Sequence, residues 1–395
     1  MMTLLSWLLG ILALLVLLPV LVLLVQVLLA CLPTRPMPAF KGPRPRVAVL
    51  VPAHNEASVI ASALATIRPQ LVEGDQLLVV ADNCTDDTAA LARAAGAQVI
   101  ERQHAQLRGK GYALDYGVRH LAEAPPDVVM IIDADCQVSA GTVERLAHCC
   151  IESGRPAQSL YLMHAPAGAG LKVQVAEFAW RVKNLVRPRG WTRLGLPCQL
   201  MGAGMAFSWQ DVTAANLATG HLVEDIKLGL ELCRDGKPPL FCPAAQVTSQ
   251  FPTSQEGLTS QRTRWEHGHL GLVLAEGPGL IGRALTQRNW PLLAMTVDLL
   301  VPPLALLSLA MMVVFTVAWL ALLALGIVLP AVIATVSLAL LGTAVLLAWW
   351  RFSRELIPFS VLLYAPFYAA KKIPLYLGFL LKRQVEWVRS KRDDN

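Results

Sequence analysis

Asp133 and Asp135 stand two residues apart, directly after the apolar run Val128–Ile132. Two carboxylates at that spacing in an extended turn can both approach one cation. A hard divalent ion, Mg²⁺ or Mn²⁺, takes oxygen ligands and bridges phosphates. An isolated pair of this kind is also an ordinary solvated turn, but its position at the end of a buried strand favours the metal reading. Asp82 ends another apolar run, Leu77–Val80, and its carboxylate can accept hydrogen bonds from a base or a ribose. Thr85 and Asp86 read instead as a helix start, with Asp86 as the cap. Lys110 lies in Arg108-Gly109-Lys110-Gly111, which is similar to the close of a phosphate-binding loop. No Ser or Thr follows the lysine and the full loop spacing is absent, so a P-loop nucleotidase is excluded. The glycines serve equally well to begin a helix.

Glu224 and Asp225 precede an amphipathic stretch. Two acids in the first turn of a helix favour its macrodipole whatever else they do. Beside a reacting hydroxyl, one of them can act as a general base. Farther on, Gln261, Arg264 and Trp265 share one helix face through i, i+3, i+4 spacing. An amide, a guanidinium and an aromatic plane on one face suit a diphosphate and a sugar ring. The same trio fits an interfacial helix with a Trp anchor. His267 and His269 lack a third ligand at zinc spacing, so no zinc is expected there.

The elements that must position these groups are legible as apolar runs. Val47–Val51, Leu77–Val80, Gln98–Ile100 and Val128–Ile132 read as strands, the first ending at Pro52. Helical patterns lie between them, one from Glu56 to Ile67 and another opening at Asp86-Asp87. This alternation predicts an α/β fold with a mostly parallel sheet buried on both faces, binding ligands at the carboxyl ends of its strands.

The rest of the chain is too apolar for an ordinary soluble enzyme. Of 395 residues, 55% are hydrophobic and only 16% charged, against about 25% charged in a typical soluble domain. Disorder is excluded on the same ground. The net charge of +6 forms no dense basic stripe, so nucleic acid is not expected as a partner. Eight scattered cysteines with no C-x-x-C pair read as reduced thiols, neither a disulfide framework nor a zinc site. Residues 4–32 carry no charge and are long enough to span a bilayer. They lack the charged start and short apolar core of a cleaved signal peptide. Arg35, Lys41, Arg44 and Arg46 follow, and by the positive-inside rule they face the cytoplasm.

A second apolar block accommodates spans over 304–325 and 327–350, with Pro302-Pro303 kinking the approach to the first. A third segment, 356–381, is broken by Lys371-Lys372 and three prolines and reads as a broken span, a re-entrant piece or an interfacial helix. The expected organisation is therefore a membrane helix over 1–32, a Pro-rich linker over 33–46, a soluble domain over 47–289, a membrane domain over 290–381 and a basic tail over 382–395.

Taken together, these residues resemble the inverting family 2 glycosyltransferases, most of all the membrane-embedded cellulose synthase-like and hyaluronan synthase-like branch. The resemblance spans the soluble domain in order: Val51–Glu56, Asp82, Asp133/Asp135, Gly202–Phe207, Glu224-Asp225 and Gln261-x-x-Arg264-Trp265. It implies a GT-A fold, which is Rossmann-like. It implies that Ala53, Glu56 and Asp82 line a nucleotide pocket, with Lys110 also on the donor side. Asp133 would touch the nucleotide and, with Asp135, hold Mg²⁺ or Mn²⁺. Asp225, beside Glu224, would be the general base. Gln261 and Arg264 would hold the donor diphosphate, and Trp265, Gly204 and Met205 would border the acceptor.

The implied partners are a nucleotide sugar, foremost a UDP-sugar, a polysaccharide or lipid-linked acceptor, membrane lipid and export-complex subunits. The implied setting is the bacterial inner membrane, multi-pass, with a cytoplasmic catalytic domain. The chain has fewer clear spans than the polymer-extruding synthases, so a complete secretion channel is not expected within it, nor is regulation through a cyclic-dinucleotide-binding extension. Two rival functions are single-sugar transfer to a polyprenyl-linked acceptor and a catalytically silent export subunit.

Overall fold

The apolar run Val47–Val51 is buried along its whole length in strand β1 (Val47–Ala53). The computed structural model describes residues 2–33, 40 and 42–381 of the chain. β1 pairs in parallel with β2 (Gln76–Asp82) on one side and β4 (Val128–Ile131) on the other, and β2 pairs in parallel with β3 (Gln98–Arg102). Helices α2 (Ile60–Ile67), α3 (Thr88–Ala94) and α4 (Lys110–Leu121) connect them. The expected helix from Glu56 begins only at Ile60, after Val59 with its non-helical φ of −126°. Residues before Ile60 are thereby left in turns.

The α/β expectation holds, and the parallel half aligns the carboxyl ends of its strands. The second half makes the sheet mixed. It contains β5 (Gln137–Val138), β6 (Ala157–His164), β7 (Met205–Ser208) and β8 (Leu240–Gln250), and the order across the sheet is β3-β2-β1-β4-β7-β6-β8-β5. β7 runs antiparallel to both β4 and β6, while β6 and β8 are parallel. Helices α5 (Thr142–Ser153), α8 (Trp209–Ala214) and α9 (Glu224–Arg234) complete this half.

One face of the sheet buries Ala48, Leu50, Leu78, Val80, Val129 and Ile131, alternate residues of three strands, against Ala113, Leu114, Val118 and Leu121 of α4. Each large side chain so buried contributes roughly 1.5–3 kcal/mol. A Cβ at Gly117 would collide with Leu50 and Val80, so glycine there lets α4 lie directly on the sheet.

The described residues fall into two units. The sheet unit extends to Met295 and includes α10 (Gln255–Thr286) and most of α11 (Trp290–Leu299). The apolar unit contains α1 (Met2–Cys31), α12 (Leu304–Leu325), α13 (Val328–Phe352), α14 (Phe359–Ala370) and α15 (Ile373–Leu381). α1, α12 and α13 are long and apolar enough to cross a membrane. Ala13, Val16, Val20, Leu23, Val27 and Ala30 form a buried seam along α1, shared with Ala331, Ala334, Leu341 and Ala344 of α13. Other faces expose large side chains such as Leu15 and Leu323. Such a surface is unfavourable in water.

Pro302 and Pro303 lie in the break between α11 and α12, and Lys371-Lys372 separate α14 from α15. The third C-terminal segment is therefore two short helices.

In one place the chain divides differently from expectation. Ala167–Leu194, counted from sequence within the soluble domain, belongs to the apolar unit. It forms α6 (Leu171–Arg181), a π-helical turn and α7 (Arg187–Arg193). Its Val175, Phe178, Val182 and Val186 join the apolar core. Of the four cations after α1, two make ion pairs within the sheet unit. Arg44 is paired with the buried Asp75 at 2.7 Å, and Arg46 lies 3.8 Å from Asp127. Arg35, Lys41, half of the Pro-rich linker and the basic tail lie outside the described residues.

Candidate active site

Three parallel strands end side by side, and each delivers one of the residues singled out from sequence. Ala53 closes β1, Asp82 closes β2, and Asp133 follows β4. Asp82 is buried, and its Oδ1 accepts from Arg102 Nη1 at 2.6 Å and from Asn83 Nδ2 at 3.0 Å. Arg102 Nη2 donates in turn to Leu107 O. Sequence reading missed Arg102; its signal was a cation ending the strand next to the one that Asp82 ends.

The loops after β1 and β2 are laced together. Asn55 Oδ1 accepts from Thr85 N at 2.7 Å, and Glu56 N donates to Thr88 Oγ1 at 2.8 Å. Asp86 accepts from Thr88 N and Oγ1 and from Ala57 N. Burial opposes its charge, but these bonds prevail and hold its pKa below the usual carboxylate range. The cap position itself is Asp87, so Asp86 serves the helix start from one residue earlier and also ties it to the other loop.

Both glycines around Lys110 have local causes. Gly109 has φ +124°, open to glycine, and a Cβ at Gly111 would collide with the carbonyls of Leu217 and Thr219. They begin α4 and aim Lys110 inward. Its ammonium is ion-paired with Asp133 Oδ1 and donates to Gly202 O at 2.8 Å. Gly202, at φ +91°, sits so close to α9 that a Cβ there would be 3.3 Å from Asp225 Oδ2. The strand-end carboxylate, the glycine loop and the first turn of α9 therefore converge on one lysine. Burial pulls the Lys110 pKa down, but Asp133, Glu224 and Asp225 more than offset it and the pKa is raised. Glu224 responds oppositely. Burial and the neighbouring Asp225 push its carboxyl up to about 7, against the pull of Lys110 and Arg264.

Asp135 accepts from Ser249 Oγ at 2.7 Å, a bond from β8 that sequence reading missed. Among the described residues, Asp133, Asp135 and Cys136 form a group whose ligand atoms lie within 4.8 Å of one another. Burial and the two aspartates push the Cys136 thiol well up, so it remains a neutral thiol. The two carboxylates are the hard oxygen donors, which fits Mg²⁺ or Mn²⁺.

Gln261, Arg264 and Trp265 lie on α10, as the spacing predicts, but that helix is 32 residues long. Gln261 is buried, and its Oε1 has no hydrogen-bond partner among the described residues. A Cβ at Gly268 would lie 2.8 Å from Val223 Cγ1 and 3.1 Å from Leu222 Cβ. That glycine lets α10 touch the segment leading into Glu224. Lys227 and Glu276, 3.8 Å apart, add a second tie between α9 and α10. Gly204 and Met205, expected on the acceptor side, lie at the start of β7. Gly204 is bonded to Ile131 and Ser159 through its backbone, and the Met205 side chain is buried in the sheet core. Of that loop, Gly202 is the residue beside Asp225.

A model of the family described as glycosyltransferase like family 2 matches residues 43–268. Glucosyl-3-phosphoglycerate synthase of Mycobacterium tuberculosis is 41% identical over 96 residues, covering 22% of this chain and 28% of that protein. "Probable glycosyltransferase YdaM" of Bacillus subtilis is 28% identical over 257 residues, covering 58% of this chain and 56% of that protein. The match thus spans less than a third of the first relative and little more than half of the second. The mannosyltransferase PcManGT of Pyrobaculum calidifontis, solved in complex with GDP-Man and Mn²⁺, has a TM-score of 0.56 at 18% identity, over 92% of this chain and 98% of that one. At that identity the likeness concerns the fold.

Proposed function

The chain belongs to the glycosyltransferase-like family 2 and has a GT-A-like mixed sheet, and from that premise we propose a membrane-bound, inverting transferase. It moves a sugar from a nucleoside-diphosphate sugar, foremost a UDP-sugar, to a polysaccharide or glycolipid acceptor. The observation that carries this reading is the convergence of Asp133, Gly202 and Asp225 on Lys110.

In this reading Ala53, Glu56 and Asp82 line the nucleotide pocket, with Arg102 fixing the Asp82 carboxylate. Asp133 and Asp135 hold Mg²⁺ or Mn²⁺, which when bound offsets the charge of the departing diphosphate. Lys110, Gln261 and Arg264 add positive and hydrogen-bonding groups on the same leaving side. Asp225 takes the proton of the acceptor hydroxyl as that oxygen attacks the anomeric carbon from the opposite face. Glu224 sits beside it, its own carboxyl pushed up to about 7 by burial and by the Asp225 charge. Trp265 offers a plane for the acceptor sugar. One displacement with no covalent intermediate inverts the anomeric centre, from an α-linked donor to a β-linked product.

The membrane reading is supported by the three long apolar helices and places the sheet unit in the cytoplasm, at the bacterial inner membrane. The cellulose synthase-like branch is favoured by Gln261-x-x-Arg264-Trp265. A second reading, single transfer to a polyprenyl-linked acceptor, is favoured by an apolar unit with three long helices among its described residues. Purified full-length protein, offered a panel of nucleotide sugars with Mn²⁺, tests the proposal by mass analysis. A series of products one sugar apart supports the first reading and a single addition the second. No donor turnover with any sugar, in protein that binds nucleotide, overturns both in favour of a silent subunit.

A further inference from the structure

Two arginines of α7 reach the C-terminal end of α1. Arg189 Nε donates to Ala30 O at 2.9 Å and its Nη2 to Leu32 O at 3.3 Å, while Arg193 Nη2 donates to Leu32 O at 2.8 Å. The Arg189 guanidinium also lies 5.4 Å from the ring centroid of Phe352, the last residue of α13. Arg193 shares the Leu32 carbonyl with it, and Arg351 stands in the last turn of α13, one residue before Phe352. Three guanidiniums thus crowd the place where two long apolar helices end together.

Capping accounts for only part of this cluster. It uses three N–H groups, while each guanidinium carries five. Arg351 makes no hydrogen bond to any described residue and is exposed. The buried acids of the unit are engaged elsewhere, Glu177 with Arg181 and Asp298 with Arg187. Among the described residues no acid is ion-paired with Arg189, Arg193 or Arg351. Like charges held together repel unless an anion joins them. Guanidinium forks match phosphate oxygens in pairs. Close by, Arg354 stacks 4.7 Å from the Trp350 ring centroid. Aromatic and basic side chains meet in this way at headgroup depth.

We propose that Arg189, Arg193 and Arg351 form a binding site for the phosphate of a membrane-lipid headgroup. The site rests on the reading that α1 and α13 span a bilayer, and it uses no residue of the candidate active site. An anionic phospholipid seated there would neutralise the cluster and tie the ends of α1, α7 and α13 to the membrane surface.

The test uses full-length protein in nanodiscs of mixed phosphatidylcholine and phosphatidylglycerol, with retained lipid counted by native mass spectrometry. The wild-type protein should retain phosphatidylglycerol preferentially. Arg351→Gln and Arg193→Gln/Arg351→Gln should lose that preference by roughly fivefold per arginine, without loss of folded protein. Arg351→Gln removes no capping bond, so it separates lipid binding from the helix caps. Equal retention by wild type and variants overturns the site. Arginine-dependent binding of inorganic phosphate, with lipid retention unchanged by the substitutions, overturns the lipid assignment in favour of a free anion. An alkaline wash of native membranes, run alongside, tests the spanning reading by itself. Release of the protein overturns the spanning; retention without lipid preference overturns only the site.

Discussion

Ser249 donates its hydroxyl to Asp135 Oδ2 at 2.7 Å, joining β8 to the turn that follows β4. Ser249 is itself buried. One oxygen of the proposed metal ligand is therefore fixed by a strand from the antiparallel half of the sheet. The parallel half supplies both proposed metal ligands, and the other half holds one of them in position.

Ser249→Ala should weaken divalent-ion affinity without removing a ligand. Partners that orient a ligand are typically worth 10–100-fold in metal affinity or activity. The check is donor turnover against Mn²⁺ concentration: the variant should need roughly that much more metal yet approach the wild-type rate at saturation. An unchanged metal requirement would detach Asp135 from the ion.

Glu224 predicts a pH effect on stability. Its folded pKa is raised to about 7 from an ordinary 4.5. Between those values the folded chain keeps a proton that the unfolded chain releases. Charging this group therefore costs stability progressively as pH rises from 4.5 towards 7. Below that window the cost is absent; above it the cost is complete. Glu224→Gln should melt a few degrees higher than wild type in mild alkali, and the difference should vanish in acid. Thermal melts across that range decide it, and a variant destabilised at every pH would contradict the assignment.

Much of the parallel half was legible because fully buried strands need unbroken apolar runs. Val47–Val51 and Leu77–Val80 could be little else, and the polar residues that end them were therefore visible. The span 304–325 matches α12 residue for residue. What escaped depends on contacts distant in sequence. β8 reads as a mixed segment because its pairing with β6 carries a bulge at Ser159/Leu160, and so Ser249 gave no signal. Arg102 looked like a surface cation until the pairing of β2 with β3 set it beside Asp82. The stretch 167–194 hid its apolar face among arginines. Its signal was Val175, Phe178, Val182 and Val186 at spacings of three and four, the period of a helix stripe.

Gly268→Ala should lower transfer without unfolding the chain. The added methyl would press on Val223 and Leu222, the residues that lead into Glu224-Asp225. Overpacking of this kind costs about 1–3 kcal/mol. The expected result is a modest loss of melting temperature with a larger loss of transfer, because α10 carries Gln261, Arg264 and Trp265. Melting and transfer rate measured together check it; full activity would show that α10 tolerates displacement.

The proposed cytoplasmic placement of the sheet unit can be read from Cys84. Its thiol is half-buried, whereas Cys233 is fully buried and unsuited to the purpose. A membrane-impermeant maleimide should label Cys84 in a Cys84-only variant after permeabilisation and not in intact cells. Labelling from outside would reverse the topology.

Asp225 carries the central claim, since Gly202 holds Lys110 on one side and faces Asp225 on the other. Asp225→Asn keeps size and hydrogen bonding but removes the proton acceptor. General-base catalysis contributes about 10²–10⁴-fold. Donor-nucleotide affinity and transfer rate should be measured side by side for this variant and the wild type. The account predicts a fall in transfer of that order with nucleotide affinity near normal. Full transfer activity, or an equal loss of binding and transfer, would contradict it and return Glu224-Asp225 to the ordinary role of acids at a helix start.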